Sequence, residues 1–223
     1  MSTLEKGARG LFLRGEIKMT QTIEEIAQKE NLTIELLRIF PCQGEWTEAE
    51  YFRLPETNRI IELSEGRLII TPSPTSQHQR ILGKLHFLFY NYLLNNNLGE
   101  VVMSPMDVRL WEGKVRQPDI AFISNEHLNR ITEQLWGVPD LVVEILSEGT
   151  AKIDKEDKFQ EYQRAGVQEY WIVDPFNQSI EVYTLKNGIY EIFGKWGPGE
   201  IAKSKLLDGF KVSVDSIMAQ GSK

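Results

Sequence analysis

QPDIAFI at residues 117–123 and DLVVEIL at residues 140–146 are short apolar runs of the kind that form buried β-strands. Each run carries an acid among its apolar residues, Asp119 in the first and Glu144 in the second. A carboxylate inside a buried strand is costly unless it is paired or binds a cation. Two such acids on two core strands indicate a metal site built from oxygen ligands. The alternative is structural, with one acid capping a turn and the other meeting an arginine.

The alternation of side chains along a strand predicts which residues accompany the two acids. Asp119 shares a face with Gln117, and Glu144 shares a face with Val142 and Leu146. The second strand is therefore expected to carry its acid on one face and core residues on the other. That other face holds apolar residues alone: Leu141, Val143 and Ile145.

The composition bounds the class of protein. The chain has 223 residues, 41% hydrophobic and 26% charged, which is typical of a soluble globular protein with one domain and an appendage. A net charge of -7 argues against a generally basic nucleic-acid-binding protein and against an anionic membrane surface, but it leaves room for a local basic groove. Cys42 is the single cysteine, so the expected compartment is the reducing cytoplasm. No run reaches the roughly 18 apolar residues of a membrane span, and the N-terminus lacks the apolar core of a signal peptide.

The chain divides into two predicted parts. Residues 1–45 are an N-terminal extension with one or two short helices, and residues 46–220 are the main domain. Helical periodicity is longest over residues 76–95, and a second helix is predicted over residues 151–165. Hairpin turns are predicted at residues 64–66 and 187–188. One helix before the acidic strands, one after them and several antiparallel hairpins predict an α+β domain with helices against a mixed sheet.

Lys158 is a third candidate for the site, in the helix that follows the Glu144 strand. Asp154 and Tyr162 lie four residues before and after it, so all three share one face of that helix. The apolar stripe of the helix includes Phe159 and Tyr162, which puts Lys158 at the edge of the stripe. A lysine there can extend its ammonium group towards the sheet. The alternative is a solvated lysine among the other charges of this helix.

The order Pro-Asp, Val-Glu-Ile and Lys resembles the PD-(D/E)XK superfamily of restriction-endonuclease-like nucleases and, more narrowly, the Uma2 family. The resemblance extends over residues 46–218. It rests on IELSEGRL (61–68), TPSP (71–74) with His78-Gln79, QPD (117–119), PDLVVEILS (139–147), DKEDK (154–158) and EYWIVDP (169–175). It implies a central mixed sheet flanked by helices, with extra β-hairpins. It also implies a nuclease domain over residues 46–220, a carboxylate-bound divalent metal and hydrolysis of phosphodiester bonds.

The resemblance also implies roles for single residues. Asp119 and Glu144 match the acids that hold the metal, for which Mg²⁺ or Mn²⁺ is expected, and the carbonyl of Ile145 is a further oxygen ligand. Glu62 matches an upstream glutamate of the family and is a candidate ligand of the metal or of water. The lysine of the superfamily usually stands two residues after the second acid, where this chain has a leucine. In this family it is displaced into the next helix, which points to Lys158.

Three further residues are candidates for substrate binding: His78, Gln117 and Tyr162. The segment Ser147–Thr150 departs from the family, because Ser-Glu-Gly-Thr replaces the usual Ser-Pro-Ser-Thr-like turn. DNA is the expected partner, and no membrane association is expected. The sequence leaves open whether the chain forms a homodimer.

The function hypothesis is a metal-dependent DNA endonuclease, in which Lys158 orients the attacking water or stabilises charge on the phosphate. One alternative is a catalytically silent nucleic-acid-binding or assembly protein on a nuclease scaffold. Another is a glycosidase that uses Asp119 and Glu144 as acid and base. Lys158 has no role in that scheme, and independence of metal would mark it.

Overall fold

The computed structural model describes residues 41–55, 59–149 and 151–219. The one or two short helices predicted in the N-terminal extension lie outside these residues. Within the described ranges, no helix has the length and apolar character needed to cross a membrane.

The helices are α1 (Glu48–Tyr51), α2 (Ser76–Asn96), α3 (Lys158–Ala165) and α4 (Val214–Met218). A 3₁₀ segment spans Asn125–Arg130, and a π-helical turn, Ile153–Asp157, runs directly into α3. The strands are β1 (Ile61–Ser64), β2 (Arg67–Ile70), β3 (Gly99–Met103), β4 (Val108–Trp111), β5 (Lys114–Arg116), β6 (Ile120–Ser124), β7 (Leu141–Ile145), β8 (Glu169–Asp174), β9 (Ser179–Lys186), β10 (Ile189–Trp196), β11 (Ile201–Lys203) and β12 (Lys211–Ser213).

A six-stranded mixed sheet lies at the centre, in the order β10-β9-β8-β7-β6-β3. The pair β7 and β8 is parallel and every other neighbouring pair in this sheet is antiparallel. The π-helical turn and α3 make the crossover between β7 and β8. A four-stranded antiparallel sheet, β2-β1-β5-β4, and the β11-β12 pair complete the strands. The predicted fold class, an α+β domain with a mixed central sheet and extra hairpins, is confirmed.

Strand β7 is buried on both faces, and its two faces belong to different cores. Leu141, Val143 and Ile145 pack in the core that includes Leu85 and Phe89 of α2. The opposite face packs in a second core with side chains of α3 and of the residues that follow it: Val142 and Leu146 of this region meet Tyr162 and Val167. The predicted alternation along this strand is therefore confirmed, and the sheet is covered by α2 on one side and α3 on the other.

The prediction of a single strand over residues 117–123 is wrong for its first three residues. Strand β6 begins at Ile120, and the segment Gln117–Asp119 precedes it as irregular backbone. Pro118 lacks an amide hydrogen and cannot contribute a donor to a central strand. Residues 114–116, which precede this segment, form β5 of the four-stranded sheet. Gln117–Asp119 therefore links the two sheets, and Asp119 lies where they meet.

Candidate active site

A cleft of about 430 Å³ opens between the ends of both sheets and the first turn of α2. Its walls come from β1, from the loop before α2, from the link between the sheets, from the end of β7 and from the start of α3. Most of the predicted site residues line it: Glu62, His78, Gln117, Asp119, Glu144, Ile145 and Lys158. The cleft thus unites residues that lie almost 100 positions apart in the chain.

The pairing of β6 with β7 brings the two acids together. Ile120 pairs with Val143 in this antiparallel ladder, so the next position outwards places Asp119 opposite Glu144. Asp119 Oδ2 accepts a hydrogen bond from the amide of Ile145 at 2.7 Å, which fixes the carboxylate against the end of β7. Both acids are buried, with 7% and 3% of their surface exposed. The register of the sheet, rather than a loop, therefore positions the pair.

Lys158 lies among carboxylates and is buried, so the alternative of a solvated lysine is wrong. Its Nζ is 2.8 Å from Glu144 Oε1, 3.3 Å from Asp154 Oδ1 and 3.6 Å from Glu62 Oε1. Tyr162, one turn later in α3, donates a hydrogen bond to the same oxygen of Glu144 at 2.7 Å. Burial alone would lower the pKa of Lys158, but the charges of Glu144, Glu62 and Asp154 raise it. The lysine is therefore held as an ammonium ion.

The site holds more negative charge than its cations offset. Burial raises the pKa of Glu144 well above its ordinary value, and the charges of Asp154 and Asp119 raise it further while Lys158 opposes them. An excess of carboxylate in a buried place favours an added cation or an added proton. Either would reduce the excess of negative charge in the cleft.

His78 connects α2 to the acids. The side chain of Thr75 caps this helix by accepting a hydrogen bond from the amide of His78 at 3.2 Å. The imidazole then places Nε2 3.2 Å from Asp119 Oδ2. Burial alone would lower the pKa of His78, but the hydrogen bond and charge of Asp119 raise it. The other ring nitrogen, Nδ1, is buried and has no hydrogen-bond partner among the described residues.

Glu62 and Gln117 line the cleft on the side of the four-stranded sheet. Glu62 Oε1 accepts a hydrogen bond from the backbone amide of Gln117 at 2.9 Å, and Glu62 Oε2 accepts one from Arg116 Nη1 at 2.8 Å. Gln117 Nε2 donates to Asp107 at 2.8 Å, which leaves its Oε1 buried and without a partner in the described part of the chain. The acid that meets an arginine is therefore Glu62, whereas no arginine of the described residues pairs with Asp119 or Glu144.

The donor atoms in the cleft suit a hard divalent cation. Asp119 and Glu144 each use one carboxylate oxygen in the contacts above, and no described residue donates a hydrogen bond to the second oxygen. Ile145 lines the same wall of the cleft. No three His, Cys, Asp or Glu side chains form a ready ligand cluster in residues 41–55, 59–149 and 151–219. Mg²⁺ usually takes one or two carboxylates and keeps several waters, so this donor set fits it.

Comparison with known proteins identifies the family. The model of the Uma2 family, described as "Putative restriction endonuclease", matches residues 48–215. The chain belongs to the Uma2 family. The match falls within the predicted domain of residues 46–220 and covers the whole cleft, so the predicted family resemblance is confirmed.

Two known proteins are similar to this Uma2 protein. A protein of Synechocystis sp., described as "Uncharacterized protein sll1609", is 29% identical over 143 residues, which are 61% of this chain and 79% of the relative. A crystal structure from Anabaena variabilis, described as "a putative nuclease belonging to DUF820", superimposes with a TM-score of 0.67 at 20% identity. The superposition covers 78% of this chain and 97% of that chain, and it shows that the two share a fold.

Sequence reasoning missed two buried residues of this Uma2 site. Asp154 is 1% exposed and lies beside Lys158; its spacing of four residues was visible, but it received no role. Arg116 is 1% exposed and pairs with Glu62 and Glu161. Nothing in the local pattern around Arg116 distinguishes it from an exposed arginine, because its partners come from distant parts of the chain.

Proposed function

We propose that this protein is a metal-dependent endonuclease that hydrolyses phosphodiester bonds of DNA. The observation that carries the proposal is the convergence of Asp119, Glu144 and Lys158 in one cleft. Lys158 Nζ lies 2.8 Å from Glu144, and Asp119 accepts a hydrogen bond from the amide of Ile145, the residue after Glu144. Membership of the family described as "Putative restriction endonuclease" supports the same conclusion.

We propose that Asp119, Glu144 and the carbonyl of Ile145 hold Mg²⁺ or Mn²⁺. When bound, such a cation activates water for attack and neutralises charge on the scissile phosphate. The excess of buried carboxylate in this cleft favours a divalent cation over an empty site. Tyr162 holds one oxygen of Glu144, and His78 holds one oxygen of Asp119, so both acids keep their second oxygen for the cation.

Lys158 supplies positive charge beside the proposed metal ligands. Its ammonium group orients the attacking water or stabilises charge that develops on the phosphate oxygens. Removing one well-placed donor of this kind costs about 3 kcal/mol of activation free energy, roughly a hundredfold in rate. The unpartnered Oε1 of Gln117 and Nδ1 of His78 are the polar atoms that we propose for contacts with bound DNA.

We propose that Glu62 acts through Lys158 rather than as a ligand of the cation. Both of its oxygens already accept hydrogen bonds, one from Gln117 and one from Arg116. The pKa of Glu62 lies below its ordinary value: burial alone would raise it, but the charges of Lys158 and Arg116 lower it. An ionised Glu62 thus adds negative charge 3.6 Å from the ammonium group of Lys158 without a hydrogen bond to it.

A cleavage assay tests this function. The purified full-length protein is incubated with supercoiled plasmid DNA and Mg²⁺ or Mn²⁺, and nicked and linear products are separated on a gel. Glu144→Gln and Asp119→Asn should abolish cleavage. Glu191→Gln, an exposed glutamate outside the cleft, is the matched control and should cleave like wild type. A wild type that stays inert with both metals, or a Glu144→Gln variant that cleaves normally, would refute the proposal.

A second candidate is a nucleic-acid-binding or assembly protein on the same scaffold without cleavage. It is favoured by the contacts of Glu144 with Lys158 at 2.8 Å and with Tyr162 at 2.7 Å, which partly satisfy this acid without a metal. It predicts DNA binding that persists without turnover. Mobility shift of a labelled duplex in EDTA, compared for wild type and Glu144→Gln, separates the two candidates.

A further inference from the structure

We infer that Arg116 is a positioning residue, which keeps Lys158 on Glu144 by neutralising the competing charge of Glu62. The inference rests on the proposed function and deepens it, because it assigns to a residue outside the cleft the placement of the proposed catalytic ammonium group. It depends on which carboxylate each buried cation satisfies.

The guanidinium of Arg116 is committed to two acids. Its Nε and Nη2 donate to Glu161 at 2.7 and 2.8 Å, and its Nη1 donates to Glu62 at 2.8 Å. The side chain is 1% exposed, so water does not screen these contacts. A planar guanidinium serves two carboxylates at fixed directions, which the single ammonium group of a lysine cannot do. Arg116 therefore fixes both the place and the charge balance of Glu62.

Lys158 has more than one carboxylate within reach of its ammonium group. Its Nζ lies 2.8 Å from Glu144 but 3.6 Å from Glu62, so the hydrogen bond goes to Glu144 and Glu62 contributes charge alone. An unneutralised Glu62, which is 1% exposed, would be a strong competitor for the nearest cation, because a buried charge without a partner is costly. Without Arg116, that nearest cation is Lys158.

The other contacts of the ion-pair network show that removing Arg116 affects Glu62 more than Glu161. Lys114 donates to Glu161 at 2.8 Å and to Ser64 at 2.7 Å. Glu161 therefore keeps a cation when Arg116 is removed, whereas the one cation left near Glu62 in the described part of the chain is Lys158. The expected response is a shift of the ammonium group from Glu144 towards Glu62, away from the acids proposed to hold the metal.

A cycle of variants tests the inference: Arg116→Met, Glu62→Gln and the two combined, each assayed for DNA cleavage with Mn²⁺ at saturating protein. A misplacement of about 1 Å can cost roughly a hundredfold in rate. We expect Arg116→Met to lower the maximal rate about 10- to 100-fold while the half-saturating protein concentration changes little. The double variant should recover most of that loss, because the competing charge is gone. A double variant as slow as Arg116→Met would overturn the inference.

Arg116→Lys is the conservative variant and covers the case in which Arg116→Met does not fold. It keeps the charge beside Glu62 but loses the two-point contact with Glu161. The inference predicts that it retains most of the wild-type rate, whereas a role in packing or geometry alone predicts a loss as large as that of Arg116→Met.

A crystal structure of Arg116→Met, or of Arg116→Gln where that folds better, provides a measurement that needs no activity. Lys158 Nζ should lie within hydrogen-bond distance, about 3 Å, of Glu62 and beyond it from Glu144. An ammonium group that stays on Glu144 would overturn the inference. A wild-type protein that never cleaves DNA would instead refute the proposed function, and the position of Lys158 would still decide this inference.

Discussion

Replacing Lys158 with methionine tests whether the charges of the site are as buried as the structure shows. Lys158 is 6% exposed, and its ammonium nitrogen has three carboxylates within 3.6 Å, the nearest being Glu144 at 2.8 Å. Removing one partner of a buried ion pair costs about 3–5 kcal/mol, because the other charge stays buried and unpaired. For a chain of this size, each kcal/mol lowers the melting temperature by roughly 2–4 °C. Lys158→Met should therefore melt about 6–20 °C below wild type.

The assay is thermal unfolding by circular dichroism in EDTA, so that no cation compensates for the missing ammonium group. Lys186→Met is the matched control, because Lys186 pairs with Glu191 at 3.2 Å and both side chains are more than half exposed. Exposed pairs contribute about 1 kcal/mol or less, so this variant should melt within a few degrees of wild type. Adding Glu144→Gln to Lys158→Met should restore part of the loss, since the unpaired charge is then removed. If Lys158→Met melts like Lys186→Met, the buried charge cluster does not exist as described.

Two further predictions concern the surroundings of the site. The pKa of Glu161 lies below its ordinary value of 4.5, because the contacts with Arg116 and Lys114 outweigh the burial that would raise it. These contacts therefore contribute stability that is fully present above pH 4.5 and is lost as the pH falls through the lowered value. In urea unfolding, the stability difference between wild type and Glu161→Gln should shrink from pH 7 to pH values below 4.5, and a difference that grows on acidification would contradict this. Leu85→Ala, in the fully buried face of α2, should cost about 2–5 kcal/mol in the same assay, and a cost below about 1 kcal/mol would contradict the packing.

The strands that carry the acids were predictable because their pattern is local. Alternation over five residues separates the two faces of β7. Because both faces are buried, every residue of this strand except Glu144 is apolar. The hairpin between β9 and β10 was predictable for a similar reason. Asn187 and Gly188 adopt φ values of 53° and 80°, a conformation that these two residue types tolerate best.

The division of residues 114–124 between two sheets was not predictable from local pattern alone. Strand β5 exists because Val115 pairs with Leu63, more than 50 positions away. An apolar run shows that a segment is buried, but it does not show which sheet the segment joins. Pro118 was the local signal of the break, since a residue without an amide hydrogen is disfavoured in a central strand.

The candidate site divides in the same way. Lys158, Asp154 and Tyr162 share a face by helical spacing, so their proximity could be predicted from the sequence. The contact between the sheets that brings Glu62 and Arg116 beside them could not, because it depends on the pairing of distant strands. Alternation within each strand did not place Asp119 beside Glu144; the pairing of β6 with β7 does, although Asp119 lies just outside β6.

Calorimetric titration of Mn²⁺ into the metal-free protein tests most directly whether the two acids hold a cation. Wild type should bind about one Mn²⁺ per chain, and Asp119→Asn and Glu144→Gln should lose this binding. Lys186→Met, outside the cleft, should bind like wild type and shows that the titration reports the site. Wild type that takes up no Mn²⁺, or variants of both acids that bind it as wild type does, would contradict the account.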